Sequence, residues 1–251
     1  MSPLLEIACF NAESAILAAS AGADRIELCK DYSLGGLTPD PSTLSSLKSH
    51  IQIPVYVMIR PTADTFCYDS ASFEKMKTEI DKFKDLGADG FVFGILHHSS
   101  EGYDEDNSRR SMIDVARNAE LVRRAGGRPC TFHRAFDLIP ETQWTSALGD
   151  ISECGFSSLL TNGGPSGTAA VDCIEKLAAL VQWTRLHGPS NVSNSAPVLD
   201  IIVGGGVRSS NTRLLQGQTR AEAFHSAALM GDDQRVSVDE VRKMRVSLQH
   251  G

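Results

Sequence analysis

The stretch Ala21–Asp24 (Ala-Gly-Ala-Asp), followed by Arg25–Cys29 (Arg-Ile-Glu-Leu-Cys), decides the fold of this sequence. An amphipathic helical pattern over residues 12–21 ends at this glycine, and glycine adopts the left-handed conformation of a helix end without a steric penalty. A short strand pattern follows. The same order returns at Leu86–Asp89 and at Cys154–Ser157, each leading into a short apolar run. Repeated helix-to-strand units predict parallel strands joined by crossover helices.

Eight such strand patterns occur along the 251 residues. They lie near residues 4–9, 25–29, 54–60, 90–95, 129–133, 157–161, 199–204 and 221–226. Eight alternations in a chain of this length favour closure into a TIM barrel, the (β/α)8 fold of the α/β class, as a single domain over residues 1–251. An open doubly wound sheet is the alternative. Its dinucleotide-binding form is disfavoured because no Gly-x-Gly-x-x-Gly follows the first strand.

Helical patterns connect these strands. They cover residues 12–21, 40–49, 72–86, 109–125, 141–154, 167–186, 209–217 and 238–247. Ser237 is placed to cap the last helix, with Glu240 completing a capping box. Two polar segments, 104–109 and 188–197, are predicted to be loops.

The composition limits the expected partners and location. The net charge is −7 and the pI is about 5.5, so we expect neither nucleic acid nor an anionic membrane surface as a partner. The N-terminus lacks the basic and apolar regions of a secretory signal, and no segment has the roughly 20 apolar residues of a membrane helix. The six cysteines form no Cys-x-x-Cys pair, which indicates free thiols in a reducing compartment. We therefore expect a cytoplasmic location.

Side chains alternate along a strand, so each strand of a barrel sends one set to the axis and the other to the helices. Placing the apolar sets against the helices turns five polar residues inward: Glu6, Glu27, Arg60, His133 and His225. They come from five strands, and three of them lie at or near the carboxyl ends, where barrel enzymes hold their catalytic residues. Because buried charges are costly unless paired, we predict a catalytic cluster. The alternative is a structural ion pair of Glu6 or Glu27 with Arg60.

If the cluster is catalytic, each of its residues has a separate predicted role. His133 acts as general acid or base with help from Glu27 or Glu6, and Arg60 binds an anionic group. Asp137 follows the fifth strand and is expected at the same mouth. In a metal-dependent variant, a divalent cation is bound by Glu6, Glu27, His133 and His225.

Glycine-rich turns follow strands six and seven. Gly204–Gly206 ends strand seven, and Arg208 adds a positive charge. Barrels often bind phosphate here, where bare glycine amides favour an anion. Asn162 and Gly163 extend this predicted anion site. The alternative for both segments is a tight turn without a ligand.

Cys9 and Cys29 end neighbouring strands. Two thiolates suit a soft ion such as Cu(I). Alternation, however, sends Cys9 toward the helices and Cys29 toward the axis, which separates the sulfurs. Buried packing cysteines are the alternative.

Longer motifs carry a resemblance to a known family. They are Glu6–Cys9, Ala21–Cys29, Gly35–Pro39, Met58–Pro61, Gly87–Gly90, Thr131–Asp137, Gly204–Val207 and Phe224–Ala227. Together they resemble the CutC copper homeostasis family over nearly the whole chain. The resemblance implies a TIM barrel, a cytoplasmic location, a role in copper tolerance and a homo-oligomer, either a dimer or a tetramer. It also implies that Cys9 and Cys29 hold Cu(I).

Two hypotheses about function follow. The first is a cytoplasmic copper homeostasis protein that binds Cu(I). The second is an enzyme, namely an acid–base lyase, an isomerase or a metal-dependent hydrolase, that acts on a small anionic or phosphorylated substrate at the mouth of the barrel.

Overall fold

Eight parallel strands close into a barrel in the computed structural model, which describes residues 2–97, 112–187, 199–229 and 235–249. The strands are β1 (Leu4–Cys9), β2 (Arg25–Leu28), β3 (Val55–Met58), β4 (Gly90–Phe93), β5 (Cys130–Phe132), β6 (Ser158–Thr161), β7 (Asp200–Val203) and β8 (Ala223–Ser226). They pair in chain order, and β8 returns to pair with β1. The predicted TIM barrel is confirmed, and the open sheet is not formed.

A helix follows each strand. The helices are α1 (Ala12–Ala21), α2 (Pro41–Leu47), α3 (Ser70–Asp85), α4 (Val115–Arg124), α5 (Trp144–Glu153), α6 (Ile174–His187), α7 (Thr212–Thr219) and α8 (Val238–Gln249). Within the described ranges, no helix has the length and apolar character needed to cross a bilayer. The predicted loops 104–109 and 188–197 lie outside the described residues.

Several helices begin later than predicted. The chain before α6 forms a short 3-10 turn, Ala170–Asp172, instead of a longer helix. Within it, the Ala170 amide donates to the carbonyl oxygen of Gly205 at 2.9 Å. This tertiary bond ties the loop after β6 to the turn after β7, and it competes with the helical pattern.

Caps fix the helix ends, with one difference from the prediction. The Asn11 side chain accepts from the Ser14 amide at 2.8 Å, and Gly22 ends α1 with φ 105°. Ser237 caps α8 as predicted, since its hydroxyl accepts from the Glu240 amide at 3.3 Å. The capping box is not completed, because the Glu240 carboxylate accepts instead from the amide and hydroxyl of Ser209, at 2.7 and 2.9 Å.

The apolar residues form one large layer between strands and helices and two small clusters inside the barrel. The outer layer holds strand residues such as Ile7, Val57 and Phe132 together with helix residues. Inside, one cluster contains Cys29, Tyr56, Met58 and Val92, and the other contains Leu160, Ile202 and Ala223. The predicted facing of the strands is therefore confirmed.

The register of the barrel brings its charged residues together. Glu6 on β1 is paired with Arg25 on β2 and, on its other side, with His225 on β8. Ala8, two residues further along β1, is paired with Glu27. Residues of equal alternation on neighbouring strands share a face, so these side chains converge on the axis.

Candidate active site at the carboxyl ends of the strands

A cavity of about 230 Å³ opens at the carboxyl ends of the strands. Its acidic, arginine and histidine lining residues are Glu27, Arg60, His133, Arg134, Arg208 and His225. Four of the six predicted catalytic residues are thus brought to one cavity. The other two, Glu6 and Asp137, do not line it and instead bond to residues that do.

Glu6 is the buried centre of the charge network. Its carboxylate accepts from Arg25 Nε at 2.5 Å and from His225 Nδ1 at 2.7 Å. Burial alone would raise the pKa of Glu6, but the Arg25 charge and the bond and charge of His225 together lower it to about 2. Glu6 is therefore ionised at neutral pH. Glu6 does form a buried ion pair, which was the alternative prediction, but its partner is Arg25 and not Arg60.

Glu27 lies on the wall of the cavity with one oxygen unused. Oε1 accepts from Cys29 Sγ at 3.3 Å. Oε2 has no hydrogen-bond partner within the described part of the chain, although Glu27 is only 3% exposed. Burial raises the pKa of Glu27, and the nearby Glu6 charge raises it further against the opposing charge of His225. A buried acceptor without a donor marks a place where a bound group can supply one.

His225 is oriented by its bond to Glu6. Glu6, with a pKa of about 2, is an ionised carboxylate and can only accept hydrogen bonds. His225 Nδ1 is therefore the donor, and Nε2 is left for other partners. Burial would lower the pKa of His225, but the Glu27 charge and the Glu6 bond raise it overall. This carboxylate–histidine arrangement fixes both the ring and its tautomer.

The opposite wall of the cavity is built from Arg60, Phe66 and His133. Arg60 Cζ lies 4.7 Å from the centre of the Phe66 ring, and the Phe66 and His133 ring centres are also 4.7 Å apart. Burial, and then the Arg60 charge, lowers the pKa of His133 to about 3, so this ring is neutral at pH 7. Among the described residues, none pairs with the buried Nε2 of His133.

Arg60 holds the loops beside the cavity. Its Nη1 donates to the carbonyl oxygens of Leu34 and Gly36, at 3.0 and 3.2 Å, and its Nη2 donates to that of Ala63 at 2.6 Å. No acidic residue of the described chain forms an ion pair with it. The charge of Arg60 is therefore uncompensated at the mouth, even though most of its donors are used.

The turn after β7 supplies the anion-binding candidates. Gly205 and Gly206 line the cavity with φ 92° and 73°, a backbone conformation that favours glycine. Arg208 joins them, and its Nη1 donates to the carbonyl oxygen of Val207 and to Ser226 Oγ, at 2.8 and 2.9 Å. Gly204 does not line the cavity, and a Cβ there would lie 2.7 Å from Leu160 Cδ1.

Three predicted site residues that follow β5 and β6, namely Asp137, Asn162 and Gly163, hold loops and do not line the cavity. Asp137 accepts from Thr161 Oγ1 at 2.6 Å and from Arg134 Nε at 2.7 Å. Asn162 Nδ2 donates to the carbonyl oxygens of neighbouring loop residues, and Gly163 packs against Leu177. The structure thus separates Asp137, Asn162 and Gly163 from the predicted mouth residues.

The two cysteines lie on opposite faces of the barrel wall. Cys9 is fully buried in the outer layer, and its Sγ lies 3.6 Å from the Ile7 carbonyl oxygen. Cys29 lies on the inner face and lines the cavity. Burial raises the pKa of both thiols. As placed, they do not fit a Cu(I) ion held between two sulfurs, whereas Cys29 alone faces the mouth.

One group of metal-ligand atoms is present among the described residues. Oxygen or nitrogen atoms of Glu6, Glu27 and His225 lie within 4.8 Å of one another. His133, predicted as a fourth ligand, does not belong to this group. Glu6 already accepts from Arg25 and His225, so a divalent cation bound there would share the Glu6 carboxylate with these two donors. Binding of a divalent cation stays a prediction.

Three residues of the site were not singled out from the sequence. Arg25 shares the alternation of Glu27, a signal that could have placed it on the axis. Ser226 orients Arg208, and Phe66 separates Arg60 from His133. Phe66 lies outside the regular elements, so no periodic pattern points to it.

The fold and this cavity define a TIM-barrel protein with a polar mouth rich in arginine and histidine. Residues 3–230 match the model of the CutC family, so the chain belongs to that family. A CutC family protein of Xanthomonas axonopodis pv. citri is 32% identical over 98% of both chains. The copper homeostasis protein cutC homolog of Drosophila melanogaster is 35% identical over 90% of this chain and 77% of its own length. The crystal structure of CutC from Streptococcus agalactiae superposes with a TM-score of 0.77 and 26% identity, covering 94% of this chain and 100% of that one.

Proposed function

We propose that this chain takes part in copper homeostasis by binding copper as Cu(I) through the thiolate of Cys29 at the mouth of the barrel. The observation that carries the proposal is that Cys29, unlike Cys9, lines the cavity. Thiolate sulfur is the ligand type that favours Cu(I). The family name supports the metal.

Cys9 is not a ligand in this proposal. Its sulfur points into the layer between strands and helices, while its own carbonyl oxygen accepts from the Cys29 amide at 2.9 Å. A site that used both sulfurs would have to turn one of these strand ends around, which would break this bond.

The test is an anaerobic titration of the reduced protein with Cu(I) against a competing chelator. We expect the wild type to hold one equivalent and Cys29→Ser to lose it. Cys9→Ser and Cys130→Ser, which change two cysteines of the outer layer, should keep it. Loss of copper in Cys9→Ser but not Cys130→Ser would indicate a two-sulfur site. Equal binding by all four proteins would refute copper binding at the mouth.

A second candidate function is proton transfer on a small anionic substrate, catalysed at the same mouth. The specific observation is the 2.7 Å bond between His225 Nδ1 and the ionised Glu6, which holds the imidazole as general acids and bases are held. His225 fits this role better than His133, whose pKa of about 3 keeps it neutral.

This second function predicts hydrogen exchange into a substrate. Small phosphorylated or carboxylated hydroxy-carbonyl compounds would be incubated with the protein in D2O and followed by NMR. We expect one of them to exchange a C–H hydrogen with the wild type and not with His225→Gln. Absence of exchange across the panel with the wild type would refute it.

Location and assembly complete the proposal. All six cysteines are free, which suits a reducing cytoplasm, and fractionation of cells expressing the tagged chain tests this. A homo-oligomer, dimer or tetramer, is the state implied by the family, and light scattering after gel filtration measures it. A monomeric mass would contradict this part.

A further inference from the structure

The cavity at the mouth is lined asymmetrically by charge. Three arginines line it (Arg60, Arg134 and Arg208), whereas Glu27 is the one acidic residue in the described lining. Of the three, only Arg134 has an ion-pair partner within the described chain. Two uncompensated guanidinium groups at one cavity are unexpected in a chain with a net charge of −7. Their combined field attracts an anion.

Arg208 is held in place for such a contact. Ser226 Oγ accepts from Arg208 Nη1 at 2.9 Å and donates to the carbonyl oxygen of Val207 at 2.7 Å, so hydrogen bonds fix one edge of the guanidinium. Beside it lie Gly205 and Gly206, whose amides donate to no acceptor among the described residues. A Cβ at Gly205 would lie 2.7 Å from the Cβ of Asn162, so this turn can pack against the loop after β6 only with glycine. Fixed guanidinium and bare amide groups form an anion-binding surface.

The inner end of the cavity has the opposite chemistry. Glu27 Oε2 is buried without a donor, and His225 Nε2 is not used by the Glu6 bond. A ligand hydroxyl can donate to the first of these atoms and exchange a hydrogen bond with the second. Met58, Leu160 and Phe66 add apolar side chains to the cavity lining. Apolar walls there suit a short carbon chain.

We propose that the mouth binds a small hydroxylated organic anion, with its phosphate or carboxylate group against Arg208 and the Gly205–Gly206 turn and with a hydroxyl group on Glu27. The volume of about 230 Å³ lies below the range of about 300–1,000 Å³ found for drug-sized ligands, so the ligand is a small metabolite of a few carbon atoms. This inference names the substrate class of the second candidate function and rests on the same cavity. Binding does not require turnover.

The test is calorimetric titration of copper-free, reduced protein at low salt. The probes are glycerol 3-phosphate, glycerate, inorganic phosphate and glycerol, which separate the phosphate, carboxylate and hydroxyl contributions. We expect glycerol 3-phosphate or glycerate to bind more tightly than inorganic phosphate and glycerol not to bind. Which of the two binds more tightly assigns the anionic group.

Variants then locate the site. Arg208→Gln, at the half-buried rim, should weaken binding of the organic anion about tenfold or more, as expected for a lost charged hydrogen bond. Glu27→Gln should weaken it while leaving inorganic phosphate unchanged. Arg185→Gln, a matched exposed arginine outside this cavity, should bind as the wild type does. Thermal melts confirm that each variant is folded.

The outcomes separate the two proposals. If no anion binds to the wild type at about 10 mM, or if Arg208→Gln binds like the wild type, the ligand class is wrong. If binding follows the expected pattern but no hydrogen exchange occurs, the ligand class stands and the catalytic proposal fails.

Discussion

Replacing Glu6 by glutamine measures what the buried charge network contributes to stability. Glu6 is fully buried and accepts from Arg25 at 2.5 Å and from His225 at 2.7 Å. Glutamine has nearly the same size but leaves Arg25, which is 8% exposed, without its counter-charge. Removing one partner of a buried ion pair costs about 3–5 kcal/mol.

The pKa of Glu6 gives a second estimate of the same quantity. The ordinary value is 4.5 and the folded value is about 2, a difference equivalent to about 3 kcal/mol at neutral pH. Because the folded pKa is the lower one, this contribution is fully present above about pH 5 and is lost as the pH falls from about 4.5 to 2. We therefore expect Glu6→Gln to lower the free energy of unfolding by about 3 kcal/mol at pH 7, and by less at pH 3.

Urea unfolding, followed by tryptophan fluorescence at both pH values, makes the measurement. Asp40→Asn is the control, because Asp40 pairs with Lys30 at 3.2 Å on the surface, with side chains 70% and 41% exposed. That substitution should change stability by less than about 1 kcal/mol. The reasoning is refuted if Glu6→Gln also costs less than about 1 kcal/mol at pH 7, or if its cost at pH 3 equals that at pH 7.

Three further predictions test the packing, thiols and charge states. Gly90→Ala puts a Cβ 2.6 Å from the Tyr56 ring and should cost about 1–3 kcal/mol in urea unfolding, whereas Gly149→Ala, with no atom within 4 Å, should gain about 0.5–1 kcal/mol. Iodoacetamide should label Cys67 first in the native protein, because the other five cysteines are buried, and mass spectrometry would reveal any earlier site. The ring signals of His133 should not titrate from about pH 8 to pH 5 in NMR spectra, since burial lowers its pKa to about 3.

The fold could be predicted because local and tertiary signals agree. Gly22 ends α1 in the left-handed conformation, and β2 begins three residues later, as the sequence pattern indicates. The start of α6 could not be predicted, because the bond from Ala170 to Gly205 joins two loops that are distant in sequence. Glu240 shows the same limit. Its carboxylate accepts from Ser209, which precedes α7, and not from the amide of Ser237, as a capping box would require.

The sequence predicts which way the side chains of the site point, but it does not predict the partners to which they bond. Alternation along β1 and β8 was sufficient to turn Glu6 and His225 toward the axis. It could not choose between Arg25 and Arg60 as the partner of Glu6, because that choice depends on the register between β1 and β2. It also could not show that the Asp137 side chain bonds to Thr161 at the end of β6, since Asp137 lies within a short 3-10 segment, Arg134–Leu138, where strand alternation no longer applies.

The closed barrel also determines how the binding of copper and the binding of an organic anion affect each other at this mouth. Cys29 and Arg208 are far apart in sequence, but the closed barrel places both on one cavity of about 230 Å³. Two ligands that share so small a space cannot bind independently, and thermodynamic linkage requires that each change the affinity of the other by the same factor. Copper held at Cys29 should therefore alter the affinity for glycerol 3-phosphate, and the anion should alter copper affinity equally. If neither ligand changed the affinity of the other, one of the two would bind elsewhere, and the separate variants Cys29→Ser and Arg208→Gln would identify which.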